Sequence, residues 1–168
     1  RTNDFRDLRN RLLVVATDLN TGKARRFGAR GHDHVPISRA VQASASLPGL
    51  FPPTEIDNAS YVDGALRRTM HASLALDAGC TLMFCVNPLV PYTSGEDPKR
   101  TESRHNLNDG GLPLVLSQTF RALIHSRMQV GMQQYRHSYP RADVLLLEPD
   151  RDDDEMFFTN VFSYADRR

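Results

Sequence analysis

Residues 12–22 read Leu-Leu-Val-Val-Ala-Thr-Asp-Leu-Asn-Thr-Gly. A continuous apolar and β-branched run over 12–17, too short for a helix of typical length, predicts a buried strand. Asn20, Thr21 and Gly22 supply turn chemistry, so residues 24–27 are expected to return beside it as a hairpin partner. The period then changes. Ile37, Ala40, Val41, Ser44 and Ala45 recur at three and four, which predicts a helix over 36–47 with Ser38 as its cap and Pro48, Pro52 and Pro53 as its stop. Short paired strands at 54–56 and 61–62 flank a turn at 57–60. A helix over 70–78 is expected to end at Gly79, followed by an apolar strand at 81–86. The longest helix is expected over 114–135, with Leu116, Phe120, Leu123, Ile124, Met128 and Met132 in one stripe, and a last strand at 143–147. Strands alternating with helices predict an α/β fold with a largely parallel central sheet flanked by helices.

Composition narrows the class of protein. The chain has 168 residues, 40% hydrophobic and 24% charged, which is globular composition. No apolar run approaches the ~20 residues that cross a bilayer. With 21 basic and 20 acidic residues the net charge is +1, so no domain-wide basic field exists to hold nucleic acid. The two cysteines, Cys80 and Cys85, would lie ~16 Å apart along a strand, beyond the ~7 Å reach of a disulfide. They are expected to be free, buried thiols, consistent with a reducing, cytoplasmic setting. Residues 88–113, rich in Pro, Gly and charge, read as one long loop, and 150–155 as an acidic solvated segment. The chain opens at Arg1 with neither Met nor a signal-like segment, and the expectation is that it belongs to a longer polypeptide.

In parallel α/β sheets, ligands sit at the carboxyl ends of strands. That rule points to Asp18, Asp63, Asn87 and Glu148. Asp63 is the best candidate because Gly64 and Ala65 follow it at once, so a carboxylate can point into a site while the backbone leaves space beside it. The alternative is that Asp63-Gly64 is a hairpin turn.

Ala43-Ser-Ala-Ser-Leu-Pro-Gly-Leu-Phe-Pro-Pro53 followed by Tyr61-Val-Asp-Gly-Ala65, with Val15-Ala-Thr-Asp-Leu-Asn-Thr-Gly22 upstream, resembles the second half of a bacterial patatin-like phospholipase domain. The likeness runs from about residue 12 to 86 and more loosely through 149. It implies a lipid acyl hydrolase, of phospholipase A or esterase type, that uses a Ser-Asp dyad. Asp63 falls on the family's Asp-Gly-Gly or Asp-Gly-Ala motif and would be the base, supported by Gly64 and Ala65. An exposed Asp, with a reference pKa of ~3.9, is a feeble base, so the site must hold it close to the serine and limit its solvation. No Gly-x-Ser-x-Gly elbow and no glycine-rich oxyanion segment occurs in the chain, Gly110-Gly111 being too short. The resemblance therefore implies that residues 1–168 are the C-terminal part of a single, incomplete domain whose nucleophile lies upstream.

Where many relatives carry Asn and Pro after the motif, this chain has Thr69 and His71. His71 reads as a surface residue in a first helical turn or, alternatively, as a base restoring a triad. His32-x-His34 lacks a third ligand at metal spacing and reads as solvated loop, so neither metal nor cofactor is expected. Ser44 and Ser46 read as helix packing and capping residues. Leu50, Phe51, Leu89 and Tyr92 could line an acyl-chain entrance or touch a membrane surface, the competing reading being that Phe51 plugs the core. The expected partners are a lipid or ester substrate and the upstream half or a second fragment, because an incomplete sheet leaves an apolar edge. The alternative function is a patatin-derived module that binds lipid or protein without chemistry.

Overall fold

The structure, a computed structural model, describes residues 2–48, 50–92 and 111–150. Most of the expected loop at 88–113, and the acidic segment after Asp150, lie outside the described residues. Two compact units divide the chain, Arg1–His71 and Ala72–Arg168.

The first unit is a four-stranded sheet with one helix and two short 3-10 turns. Its strands are β1 (Val14–Asp18), β2 (Ala24–Phe27), β3 (Thr54–Ile56) and β4 (Ala59–Asp63), in the order β2-β1-β4-β3. Every pairing is antiparallel. For this unit it corrects the expectation of a largely parallel sheet, and the reason is connection length. A parallel crossover needs a dozen or more residues, whereas β1 and β2 are joined by residues 19–23 and β3 and β4 by Asp57 and Asn58 alone. Both turn residues have left-handed φ, 49° and 60°, which suits a two-residue hairpin and which Asp and Asn tolerate better than other non-glycine residues. The turn is thus shorter than the expected 57–60.

Helix α1 (Ile37–Ser44) lies against β1, β3 and β4. Ala40 and Ala43 are fully buried, and small side chains there let the helix approach the sheet closely. Around them Phe5, Phe27, Val35, Ile56 and Tyr61 close the core, with the Phe27 and Tyr61 rings edge-to-face at 5.3 Å. Ser38 does not cap the helix. Pro36 precedes the first turn and offers no side-chain acceptor, so Asn3 reaches in from the N-terminal segment and accepts from the Ser38 N–H through Oδ1 at 2.8 Å.

The second unit has helix α2 (Ser73–Leu76), strand β5 (Leu82–Val86), helix α3 (Gly111–Ser138) and strand β6 (Asp143–Leu147). Here the pairing is parallel, β5 with β6, across the long connection that carries α3. Helix α2 is shorter than the expected 70–78 because Met70 and His71 take left-handed φ, 82° and 41°, which a right-handed helix cannot contain. Helix α3 starts earlier than expected. Ile124, Met128, Met132 and Tyr135 are its buried stripe, while Leu123 is exposed. Cys85 is buried but Cys80 is exposed, and Phe51, 41% exposed, does not plug a core. No helix among the described residues is long and apolar enough to cross a membrane.

Candidate active site

Asp63 stands at the end of β4, where the strand passes into a 3-10 turn, Gly64–Leu66. It is therefore a strand end that caps the next turn, and the hairpin reading does not hold. Four contacts fix it. Its Cα faces Ala16 of β1 in register, its N–H donates to the Ser46 carbonyl at 3.0 Å, and its carbonyl accepts from the Thr17 hydroxyl at 3.2 Å. Its side-chain Oδ1 accepts from the Ala65 N–H at 2.7 Å. Partial burial raises the proton affinity of the carboxylate above the usual carboxylate value, and the Ala65 N–H pulls the other way without cancelling it.

Gly64 is a glycine for a different reason than backbone freedom. It is buried against β1, and a Cβ there would overlap the Val15 carbonyl oxygen. That same carbonyl accepts from the Ser44 hydroxyl at 2.8 Å. Ser46 donates its hydroxyl to the Gln42 carbonyl at 2.8 Å and shares a 2.9 Å hydrogen bond with the Thr54 hydroxyl. Both serines thus hold the end of α1 against the sheet that carries Asp63, as packing and capping residues. Neither stands on a nucleophile elbow.

His71 is neither in a helical turn nor fully on the surface. It is half-buried, and its Nε2 lies 3.2 Å from the Gly64 carbonyl oxygen, which obliges that nitrogen to carry the proton and donate. The Arg67 and Arg68 N–H groups donate to the same oxygen at 3.2 and 3.3 Å. Burial, then the nearby Arg68 and Arg67 charges, hold the imidazole below its usual value against the opposing pull of the Gly64 bond. With Nε2 committed as a donor, the ring cannot take a serine proton at that atom.

The other strand-end residues do not gather around Asp63. Because β1 and β4 run in opposite directions, their carboxyl ends do not share one edge. Asp18 is buried, and its Oδ1 accepts from the Asn20 and Thr21 N–H groups at 2.9 and 3.1 Å. It holds the β1–β2 turn. Burial pushes its carboxyl up, but the Thr21 and Asn20 hydrogen bonds and Arg25 outweigh this, and the net shift is downward. In the second unit Asn87 donates to Glu148 at 2.8 Å, and His125 Nδ1 lies 3.4 Å from the same carboxylate. His32 meets Arg25 at 3.0 Å and His34 meets Asp57 at 2.9 Å, so the two histidines of His32-x-His34 have separate partners. No cluster suited to a metal ion occurs among the described residues.

The sequence singles out Asp63 as a candidate but not the groups around it, Ser44, Ser46, Thr17 and the Val15 carbonyl, which lie 17 to 48 residues away in the chain. Only the apolar run at 12–17 hinted at the strand that supplies two of them. A family model described as patatin-like phospholipase matches residues 2–76, the stretch that contains β1 to β4, Asp63 and His71. This part of the chain is therefore similar to the patatin-like phospholipases, a family of lipid acyl hydrolases.

Proposed function

We propose that Asp63 is the base of a Ser-Asp dyad in an acyl hydrolase of phospholipase A or esterase type, with the serine and its oxyanion donors supplied from outside these 168 residues. The observation that carries the reading is a carboxylate of raised proton affinity held on a rigid frame. Oδ1 is occupied by the Ala65 N–H, which leaves Oδ2 for the serine proton. Asp63 takes that proton as the serine oxygen forms a bond to the ester carbonyl carbon. It returns the proton to the departing alkoxide when the tetrahedral intermediate collapses to the acyl-serine. Water then repeats the sequence, giving its proton to Asp63 and releasing the acid. The substrate class is a carboxylic ester of a lipid, met at a membrane surface, and the setting proposed is cytoplasmic.

The test uses the polypeptide that carries residues 1–168 together with its serine elbow. Asp63→Asn keeps shape and one acceptor oxygen but removes the charge, so turnover should fall by roughly 10²- to 10⁴-fold, as for loss of a general base. A serine-directed fluorophosphonate should label the parent protein. Lipid binding in liposome co-sedimentation without any labelling would establish the non-catalytic reading instead. Near wild-type turnover in Asp63→Asn would remove Asp63 from the chemistry.

A further inference from the structure

We infer that His71 is a positioning residue for Asp63, acting through the peptide group that joins Gly64 to Ala65. The inference rests on the reading of Asp63 as the dyad base. It begins from one peptide unit held at both ends. The Gly64 carbonyl oxygen accepts from His71 Nε2 at 3.2 Å, and the Ala65 N–H of the same peptide donates to Asp63 Oδ1 at 2.7 Å. A peptide group is planar, so fixing its oxygen fixes the direction of its N–H. A donor on the carbonyl also polarises the amide and strengthens the hydrogen bond on its far side. The Arg67 and Arg68 N–H groups share that oxygen at 3.2 and 3.3 Å, and the imidazole, the one side-chain donor of the three, adds to them in aiming the Asp63 carboxylate and in strengthening the bond that tempers its basicity.

Two further observations agree. Met70 and His71 are consecutive non-glycine residues in left-handed backbone conformation, and this turn is what brings the ring back onto the Gly64 carbonyl seven residues upstream. Such outliers persist only where the surroundings over-determine them. Gly64, pressed against Val15, leaves the peptide little room to rotate for any other reason, so the His71 contact refines a geometry that β1 already confines. The charged groups around the ring are Arg67 and Arg68, and they favour its neutral form. A neutral ring donating from Nε2 keeps Nδ1 unprotonated.

Nitrogen and carbon NMR on the 168-residue chain tests this without the nucleophile. The expected wild-type result is a neutral His71 in the Nε2–H tautomer. In His71→Ala the Ala65 amide proton should move upfield and the Asp63 carboxyl titration midpoint should rise by about 0.2–0.6 on the pH scale, from the loss of a 10–30% strengthening of a charge-assisted bond. His71→Gln, which presents an amide N–H near the position of Nε2, should restore both. In the parent enzyme His71→Ala should lower kcat about 3- to 10-fold with KM nearly unchanged and the acid limb of the pH profile moved up, and His71→Gln should recover it. A neutral Nδ1–H tautomer, or an Ala65 amide and an Asp63 midpoint that stay fixed or move the other way in His71→Ala, overturns the inference. If His71→Ala fails to fold, the wild-type tautomer and the His71→Gln spectra decide. An inactive Asp63→Asn with no such NMR response sinks this inference alone. An active Asp63→Asn sinks the dyad reading while the NMR response still reports the relay.

Discussion

The two units treat apolar surface in opposite ways. In the first, β1, β2 and β4 turn Ala16, Phe27 and Tyr61 into one core with Ala40 and Ala43 of α1, and all five are almost wholly enclosed. In the second, β5 and β6 leave Leu82, Phe84, Val86, Leu145 and Leu147 exposed on alternate positions of two neighbouring strands. An antiparallel sheet is satisfied by cover on one face, whereas parallel strands are normally covered on both. The first unit has what its architecture requires, whereas among the described residues of the second these side chains stay exposed. The family match at residues 2–76 falls almost wholly on the first unit, so recognisability, a closed core and the candidate site coincide.

The sharpest way to break this contrast is to remove one ring from each unit. Phe27→Ala should cost about 3–5 kcal/mol, the usual range for truncating a buried aromatic, whereas Phe84→Ala, 64% exposed, should stay within about 0.5 kcal/mol. Amide hydrogen exchange read separately in each unit measures both, and comparable losses would mean that the β5–β6 face is covered in solution. Gly64→Ala should come next. Its methyl must displace the Val15 carbonyl or the Asp63 turn, destabilising the first unit by about 1–3 kcal/mol, the range for overpacking. A variant of unchanged melting temperature would show that β1 yields more easily than a paired strand should.

The smallest effect is a pH dependence. Burial raises the Asp63 carboxyl above 3.8, so in the window between that value and its folded value the native state holds a proton that the unfolded chain has released. Folding stability from this group is present below the window and is lost as pH rises through it. Asp63→Asn has no such proton to lose. Urea titrations at several pH values should show wild type losing ground against Asp63→Asn from about pH 4 upward and then running parallel.

What could be read from the sequence follows from how local each signal is. The apolar runs at 12–17, 81–86 and 143–147 announced strands because burial selects β-branched and aliphatic residues in sequence neighbours. Strand direction in the first unit was not readable. The partner of β1 on its inner side is β4, more than forty residues away, and nothing in either strand encodes which way the other runs. Asp63 stood out because Gly64 and Ala65 follow it and the motif is compact. The groups that hold it in place include the Ser46 carbonyl and the Ala65 N–H, backbone groups that any side chain could have carried. His71 was misplaced because a left-handed Met70-His71 pair has no glycine to signal it.

The hairpin at Asp57 and Asn58 has a bearing on the site that concerns counting. Residues in a strand alternate faces, and β4 takes its phase from a two-residue turn that sets Ile56 opposite Ala59 and, two pairs on, Thr54 opposite Tyr61. Tyr61 then meets Phe27, and Asp63 comes level with Ala16. Asn58 can be exchanged for glycine, which takes the left-handed conformation freely, whereas Asp57 also meets His34 through its carboxylate. One inserted residue is another matter. Unless a bulge absorbs it, the phase inverts, Tyr61 leaves the core and the carboxylate swings to the wrong side of the sheet. The length of this turn is therefore fixed more tightly than its letters, and the turn serves as the ruler from which the position of the Asp63 carboxylate is measured.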